Sequence, residues 1–542
     1  MDGLMMDFPL NLDFVLRRAE TFFGHKEIAT RMPDKSWHRY TYADMGKRAK
    51  KLALALKKLG VEPGDRVGTF SWNHYWHMEA YFGIPIAGGV LHTLNIRLHP
   101  TDLEYIINDA EDKVIIIDQS LIPLLAPIRR DICTQKFIVV PDKGEPVEHG
   151  DLNYEDIIAA EDEFQFEWLD PEENSACAMC YTSGTTGRPK GVLYSHRSTV
   201  LHSIGTNLPD VQGITEQDVV LPVVPMFHAN AWGLPHAAAL AGIKMVYPGP
   251  HLDPVSLLED FEHEKVTVTA GVPTIWMGLL KEIDSAPDKY DLSLRKLVVG
   301  GSAVPRSLIE GFDKHGLTIV QAWGMTETSP LGSVANLTST IQEASEEEQM
   351  QYRCTAGMPA PMVEIRAINE DGEVPWDNKT MGELEVRGPW VVNAYYKRPD
   401  ATDRFSEDGW FRTGDIVTID PRGYIRIQDR SKDLVKSGGE WISSVDLENL
   451  IMAHPAVAEA AVIALPHEKW DERPLAAVVL KEGQKLTPDD LREFLSDKVA
   501  KWWIPDAFEL VDEIPKTSVG KFKKTALRDQ FVGYEWPETA TT

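Results

Sequence analysis

Residues 181–191 read Tyr181-Thr182-Ser183-Gly184-Thr185-Thr186-Gly187-Arg188-Pro189-Lys190-Gly191. Three glycines allow tight turns and close approach of backbone to a ligand, while the Ser and Thr hydroxyls and Lys190 add donors suited to phosphate oxygens. The Walker pattern G-x-x-x-x-G-K-[ST] does not fit, because counting from Gly184 puts Pro189 where the second glycine belongs. A GTP switch or Walker ATPase is therefore disfavoured. Surface loops rich in Ser, Thr and Gly are common, but the preceding run Ala176-Cys177-Ala178-Met179-Cys180-Tyr181 reads as a buried strand aimed at this one. A short apolar strand emptying into a Gly-rich turn is where an α/β protein places a nucleotide's phosphates.

Composition narrows what such a loop can serve. The chain has 542 residues, 43% of them hydrophobic, which is enough for several domain-sized cores. Acidic residues outnumber basic ones 83 to 55, a formal charge of −28, so polyphosphate backbones are repelled at long range and no nucleic-acid partner is expected. Anionic cosubstrates would need cations concentrated locally. Cys133, Cys177, Cys180 and Cys354 are too few and scattered for a disulfide scaffold. The pair Cys177 and Cys180 has no second Cys or His pair at zinc spacing and reads as core packing. The opening Met1-Asp2-Gly3-Leu4-Met5-Met6-Asp7 lacks a basic segment ahead of an apolar stretch, and no window holds 18 uninterrupted apolar residues. A cytoplasmic protein with at most peripheral membrane contact is expected.

Around the loop, strand and helix patterns alternate. Leu12, Val15, Leu16, Ala19, Phe22 and Phe23 keep helical spacing up to Gly24. A helix is expected over 43–59 and another from about Thr101, with strands over 66–72, 89–91, 114–117 and 136–140. Beyond the loop, strands are expected over 219–224, 266–269, 297–299 and 317–320. Such alternation implies parallel sheet with helices on its faces. From about Gly382 the pattern turns mostly β. At 423–433 a strand breaks into Asp429-Arg430-Ser431-Lys432-Asp433, and this shift marks a boundary. A smaller unit follows, with strands over 458–463, 476–480 and 507–511 and a helix opened by Thr487. The expected fold class is α/β: a large N-terminal domain (1–429) of α/β sheets plus a β-rich subdomain, and a small C-terminal α+β domain (430–542).

Further segments stand at the ends of these strands. They are Phe227-His228-Ala229-Asn230-Ala231-Trp232-Gly233, then Gly300-Gly301-Ser302-Ala303, then Gln321-Ala322-Trp323-Gly324-Met325-Thr326-Glu327-Thr328. Asp408-Gly409-Trp410-Phe411-Arg412-Thr413-Gly414-Asp415, Lys436-Ser437-Gly438-Gly439-Glu440 and Lys516-Thr517-Ser518-Val519-Gly520-Lys521 complete the set. Each alone has a plain reading: packed aromatics, a strand-to-helix turn, a strand cap at Asp415, or a solvated lysine cluster. In this order after the 181–191 loop, they resemble the motifs of the adenylate-forming superfamily, which includes acyl-CoA synthetases, luciferases and peptide-synthetase adenylation domains. The resemblance spans essentially the whole chain and is closest to bacterial medium- and long-chain fatty-acyl-CoA synthetases.

That resemblance implies that a carboxylate attacks the α-phosphorus of ATP, pyrophosphate leaves, and the thiol of coenzyme A then displaces AMP from the acyl-adenylate. It implies that Thr182, Ser183, Gly184, Thr185, Thr186, Gly187 and Lys190 cradle phosphates, and that Thr182 and Glu327 hold Mg2+. Lys521 and His228 join them as catalytic candidates. Gly301, Ser302, Gln321, Ala322, Trp323, Gly324, Met325 and Thr326 are implied around the adenylate, with Asp415 and Arg430 at its ribose. Trp232 becomes the gate of an acyl tunnel and Asp429 the hinge of a mobile C-terminal domain. Lys432, Lys436, Gly438, Gly439 and Trp441 belong to the loop that meets coenzyme A. The resemblance leaves room for a homodimer.

Other readings share the scaffold. A stand-alone adenylation enzyme for an amino or aryl acid usually places an Asp in its pocket, and the 227–232 loop offers no carboxylate. A luciferase-like oxygenase is poorly discriminated by sequence. A non-catalytic adenylate sensor would need neither Glu327 nor Lys521.

Overall fold

The computed structural model describes all residues except 2, 148, 149, 183–187, 431, 438, 439, 468, 518–520 and 537–542. Among the described residues the strands form four sheets, of seven, nine, five and five strands. The seven-stranded sheet runs in the order Leu152–Asn153, Lys136–Val140, Val114–Asp118, Arg66–Phe70, Val90–Thr93, Ala176–Tyr181 and Gly191–Ser195. Its pairs are parallel until the last, where Ala176–Tyr181 meets Gly191–Ser195 antiparallel. The expected phosphate loop is thus the connection of a hairpin on an otherwise parallel sheet.

The nine-stranded sheet has a parallel centre, Thr318–Gly324, Lys296–Val299, Val268–Gly271, Val219–Pro222, Lys244–Tyr247 and Glu27–Arg31, flanked by antiparallel edges. The helix Tyr75–Ile86 is buried at every position and touches strands of both sheets. An apolar helix without a polar face has to sit inside. Its one carboxylate, Glu79, accepts from Arg48 Nε at 2.7 Å and Tyr154 Oη at 2.8 Å, the partners a buried charge requires. Cys177 and Cys180 lie buried in the strand, as expected of core residues.

The strand and helix alternation matches the expected α/β class, and particular elements differ. Phe22 is 63% exposed, because at 100° per residue it falls at the edge of the stripe set by Leu12, Val15, Leu16 and Ala19. Asp415 is not a strand cap: it lies inside the strand Phe411–Ile419 and is buried. Gln321 to Gly324 continue their strand rather than opening a loop, since pairing with Leu331–Val334 extends the ladder. Likewise the strand Ile425–Arg430 runs through Asp429.

The β-rich region is a five-stranded antiparallel sheet, Gly372–Glu373, Glu364–Asn369, Gly382–Arg387, Phe411–Ile419 and Ile425–Arg430. Its last strand leads into the smaller unit, where Val457–His467 and Asp471–Leu480 form a long hairpin and Ala507–Leu510 adds in parallel. The 436–440 segment lies in a small hairpin in which Val435–Ser437 pairs with Glu440–Ile442. The helix Pro488–Leu495 carries the capping box expected of Thr487 and Asp490. Among the described residues no helix is long and apolar enough to cross a membrane.

Candidate active site

The loop after Tyr181 is pinched shut at its base. Thr182 N–H donates to the Lys190 carbonyl at 3.0 Å and Lys190 N–H donates to Thr182 Oγ1 at 3.1 Å. Ser183, Gly184, Thr185, Thr186 and Gly187 lie outside the described residues. The Lys190 ammonium stands 4.9 Å from the centre of the Tyr395 ring, a cation over an aromatic face. The same Tyr395 donates its hydroxyl to Glu327 Oε1 at 2.8 Å. Tyr194 ties the other side, donating to the Thr326 carbonyl at 2.8 Å. One tyrosine therefore joins the phosphate-loop lysine to the buried carboxylate of the 321–328 segment.

Asp415 collects two donors from separate elements. Trp323 Nε1 donates to its Oδ2 at 3.0 Å, and Arg430 Nε lies 2.6 Å from its Oδ1. Trp323 is 8% exposed and its ring packs over Gly332. Gln321 is buried beside it in sequence, and its Oε1 has no partner among the described residues. Ala322, Gly324, Met325 and Thr326 are half-buried, whereas Ser302 is exposed.

Gly301 adopts φ +91°, a conformation that suits glycine. A Cβ there would stand 3.5 Å from Lys521 Cε, so the lysine of the smaller unit reaches across to pack on this turn of the larger one. Lys521 is held by Thr517, whose N–H donates to the Lys521 carbonyl at 2.6 Å and whose Oγ1 accepts from Lys521 N–H at 3.1 Å. Burial, with repulsion from Arg430, pushes the Lys521 ammonium down to about 8 against the attraction of Asp415 and Glu327. Burial also pushes His228 down to about 3, helped by the positive charges of Lys521 and Arg97. His228 is thus a neutral imidazole at neutral pH.

Residues Ala229 to Gly233 take successive positive φ values of 43°, 52°, 49°, 56° and 75°. A left-handed turn costs about 1–2 kcal/mol per non-glycine residue, and identifiable contacts offset it here. Asn230 Oδ1 accepts from Thr93 Oγ1 at 3.2 Å and Cys180 Sγ at 3.1 Å. Asn73 clamps the approach to this turn: its Nδ2 donates to the Pro222 and Val224 carbonyls and its Oδ1 accepts from Met226 N–H at 2.7 Å. The turn sets Trp232 over Gly300, where a Cβ would stand 3.2 Å from the indole.

Asp429 is buried, and its carboxylate accepts from Ser444 N–H at 2.8 Å and Arg430 N–H at 2.7 Å. Beside it the ladder shifts register, Ile416 pairing with Asp429 but Val417 with Ile427, so a β-bulge loosens the strand next to the expected hinge. Lys432 and Lys436 are exposed, and the Lys436 ammonium lies 4.7 Å from the Trp441 ring. Gly438 and Gly439 are outside the described residues.

The fold thus brings Lys190, Glu327, Asp415, Arg430, His228 and Lys521 to one region where two sheets and the smaller unit meet, while Lys436 and Trp441 stand together on a separate hairpin. Asn73, Tyr194 and Tyr395 were missed from sequence, and Asn230 was given no role within its motif. A lone Asn or Tyr carries no motif, and only chain folding shows that Tyr395 meets Glu327.

Comparison with known proteins identifies the family. The family model described as AMP-binding enzyme matches residues 17–396, and that of the AMP-binding enzyme C-terminal domain matches 446–521. A long-chain-fatty-acid–CoA ligase of Thermus thermophilus is 50% identical, over 98% of this chain and 97% of its own. A 3-methylmercaptopropionyl-CoA ligase of Ruegeria lacuscaerulensis is 45% identical, over 98% and 99%. Among solved structures, the anthranilate CoA ligase AuaEII in complex with anthranoyl-AMP superposes with a TM-score of 0.85 at 27% identity, covering 97% of this chain and 98% of that one. By sequence over nearly its whole length and by fold, this chain belongs to the AMP-binding enzyme family.

Proposed function

We propose that this protein is an AMP-forming acid–CoA ligase that activates a fatty acid with ATP and transfers it to coenzyme A. The observation that carries the reading is Lys521, delivered from the smaller domain onto the Gly301 turn within electrostatic reach of Glu327 and Asp415. An ammonium there meets the carboxylate oxygen of the acid and an α-phosphate oxygen, where negative charge reorganises as pyrophosphate leaves. Such chemistry rests on positioning and charge neutralisation more than on covalent catalysis. Lys190 and the 182–187 loop hold the phosphates. Trp323 and Gly301 flank adenine, and Gln321 Oε1, which has no partner among the described residues, is an acceptor for its amino group. Asp415 retains lone pairs for ribose hydroxyls after accepting from Trp323 and Arg430.

Thr182 and Glu327 offer the hard oxygen donors that Mg2+ takes, and a bound ion would neutralise phosphate charge at this point. Neutral His228 faces the same site without adding to the positive charges of Lys190, Arg430 and Lys521. In the second step the smaller domain, from about Arg430, rotates about Asp429. Lys521 then withdraws and the Lys436–Trp441 hairpin approaches, because one closed arrangement cannot give both Lys521 and the thiol access to the acyl carbon. A cytoplasmic location and a homodimer complete the reading; fractionation and sedimentation test them.

The substrate test is AMP formation by purified protein with ATP, Mg2+ and coenzyme A across acids from butyrate to oleate, with 3-methylmercaptopropionate added. The 45% identical relative named for that short acid is the reason to include it. Acid-dependent and CoA-dependent AMP release that peaks on a medium or long chain supports the proposal. A peak on 3-methylmercaptopropionate moves the substrate class, and AMP release indifferent to coenzyme A overturns the ligase reading.

A further inference from the structure

The hairpin that carries Lys436 opposite Trp441 is held by two consecutive residues of the neighbouring strand Asp471–Leu480. Lys436 N–H donates to Glu472 Oε2 at 2.8 Å, and Arg473 Nη1 donates to Ser437 Oγ at 2.9 Å. Among the described residues, the backbone ladder between the hairpin and this strand consists of the single pair Ser437 and Asp471. Side chains therefore supply much of the hold.

Arg473 is 7% exposed, and each of its five N–H groups has an acceptor. Besides Ser437, Nη1 donates to the Trp502 carbonyl at 2.8 Å and Nη2 to that of Ile504 at 3.2 Å. Asp506 accepts from Nε at 2.6 Å and from Nη2 at 2.9 Å. One buried fork thus ties the hairpin to the 502–506 turn. A lysine has three donors and no plane, so it cannot reproduce this pattern.

We propose that Arg473, supported by Glu472, is a positioning residue for the thioester-forming step. It fixes the Lys436–Trp441 face relative to the 502–506 turn, so that the face arrives in register with coenzyme A when the smaller domain rotates. This rests on the ligase reading and the rotation proposed above. The adenylation step uses a different part of the same domain, Lys521, which packs on Gly301 and is held by Thr517. Disturbing Arg473 should therefore separate the two half-reactions, whereas loss of the domain's fold would abolish both.

The test uses full-length protein and two assays: decanoate-dependent exchange of labelled pyrophosphate into ATP, and thioester formation from decanoyl-adenylate and coenzyme A. Arg473→Met should leave exchange within about 2-fold and lower kcat/KM for coenzyme A about 10- to 100-fold, mainly through KM, as expected when a binding face is displaced by about 1 Å. Arg473→Lys should fall between, keeping the charge opposite Asp506 but losing the fork. Ser437→Ala removes the hydrogen bond from Arg473 to the hairpin and should shift KM in the same direction by a smaller factor. Parallel loss of both half-reactions, or no change in either, overturns the proposal. Should Arg473→Met fail to fold, an unchanged KM for coenzyme A in Ser437→Ala overturns it alone. Wild-type protein that supports exchange but makes no thioester would instead refute the ligase reading.

Discussion

Lys521→Ala isolates the charge that the smaller domain brings to the larger one. Burial and Arg430 hold the Lys521 ammonium at about 8, so at pH 7 roughly nine in ten molecules carry the charge, by a tenfold ratio per pH unit. Nearly the whole electrostatic contribution is therefore present to be lost. Removing one preorganised donor to a developing anion costs about 100- to 1,000-fold in rate, or about 2.7–4 kcal/mol. Stability should move the other way. The folded state binds this proton less tightly than the unfolded chain, so below pH 8 the charged lysine opposes folding, and its removal should leave Tm at or above wild type. Acid-dependent pyrophosphate exchange reads the first half-reaction, and thioester formation from supplied acyl-adenylate reads the second. Exchange should fall by the stated factor while thioester formation stays largely intact. Equal loss of both with Tm lowered would show that Lys521 is a packing residue.

The same lysine sets a pH profile: kcat/KM for adenylation by the free enzyme should fall above pH 8, about tenfold per unit, as the ammonium deprotonates. Bound ATP should move the kcat limb to higher pH, because its negative charge favours the charged lysine; a limb that stays put would detach it from Lys521. Asp429→Pro fixes φ beside the bulge and removes the carboxylate from Ser444. It should keep pyrophosphate exchange and lose most thioester formation, and full activity in both steps would rule out this hinge. Trp232→Ala opens the space above Gly300 and should change KM for the fatty acid far more than KM for ATP. Equal effects on the two would place Trp232 in ordinary packing.

Much of this was legible in the sequence because it is local. The strand Ala176–Tyr181 has the predicted bounds, since an apolar hexapeptide before a Gly-rich turn is specified by its own composition. The capping box at Thr487 and the helix Leu12–Phe23 were readable for the same reason. Motif order pointed to Lys190, Glu327, Asp415 and Lys521 as partners in one reaction, although residues far apart in the chain carry them.

What the sequence by itself determined, then, is the inventory: α/β alternation, a phosphate-type loop, and the set of charged side chains suited to nucleotide chemistry. The tertiary structure alone decided how that inventory is held. Asp415 sits within a strand because its ladder partners, not its own residue type, extend the sheet past it. Trp323 donates to Asp415 across 92 residues and Tyr395 to Glu327 across 68, pairings that no periodicity encodes. The depressed ammonium of Lys521 exists only where two domains exclude water around it. Local propensity acts over a few residues, whereas desolvation and hydrogen-bond partners depend on which distant segments the fold brings together.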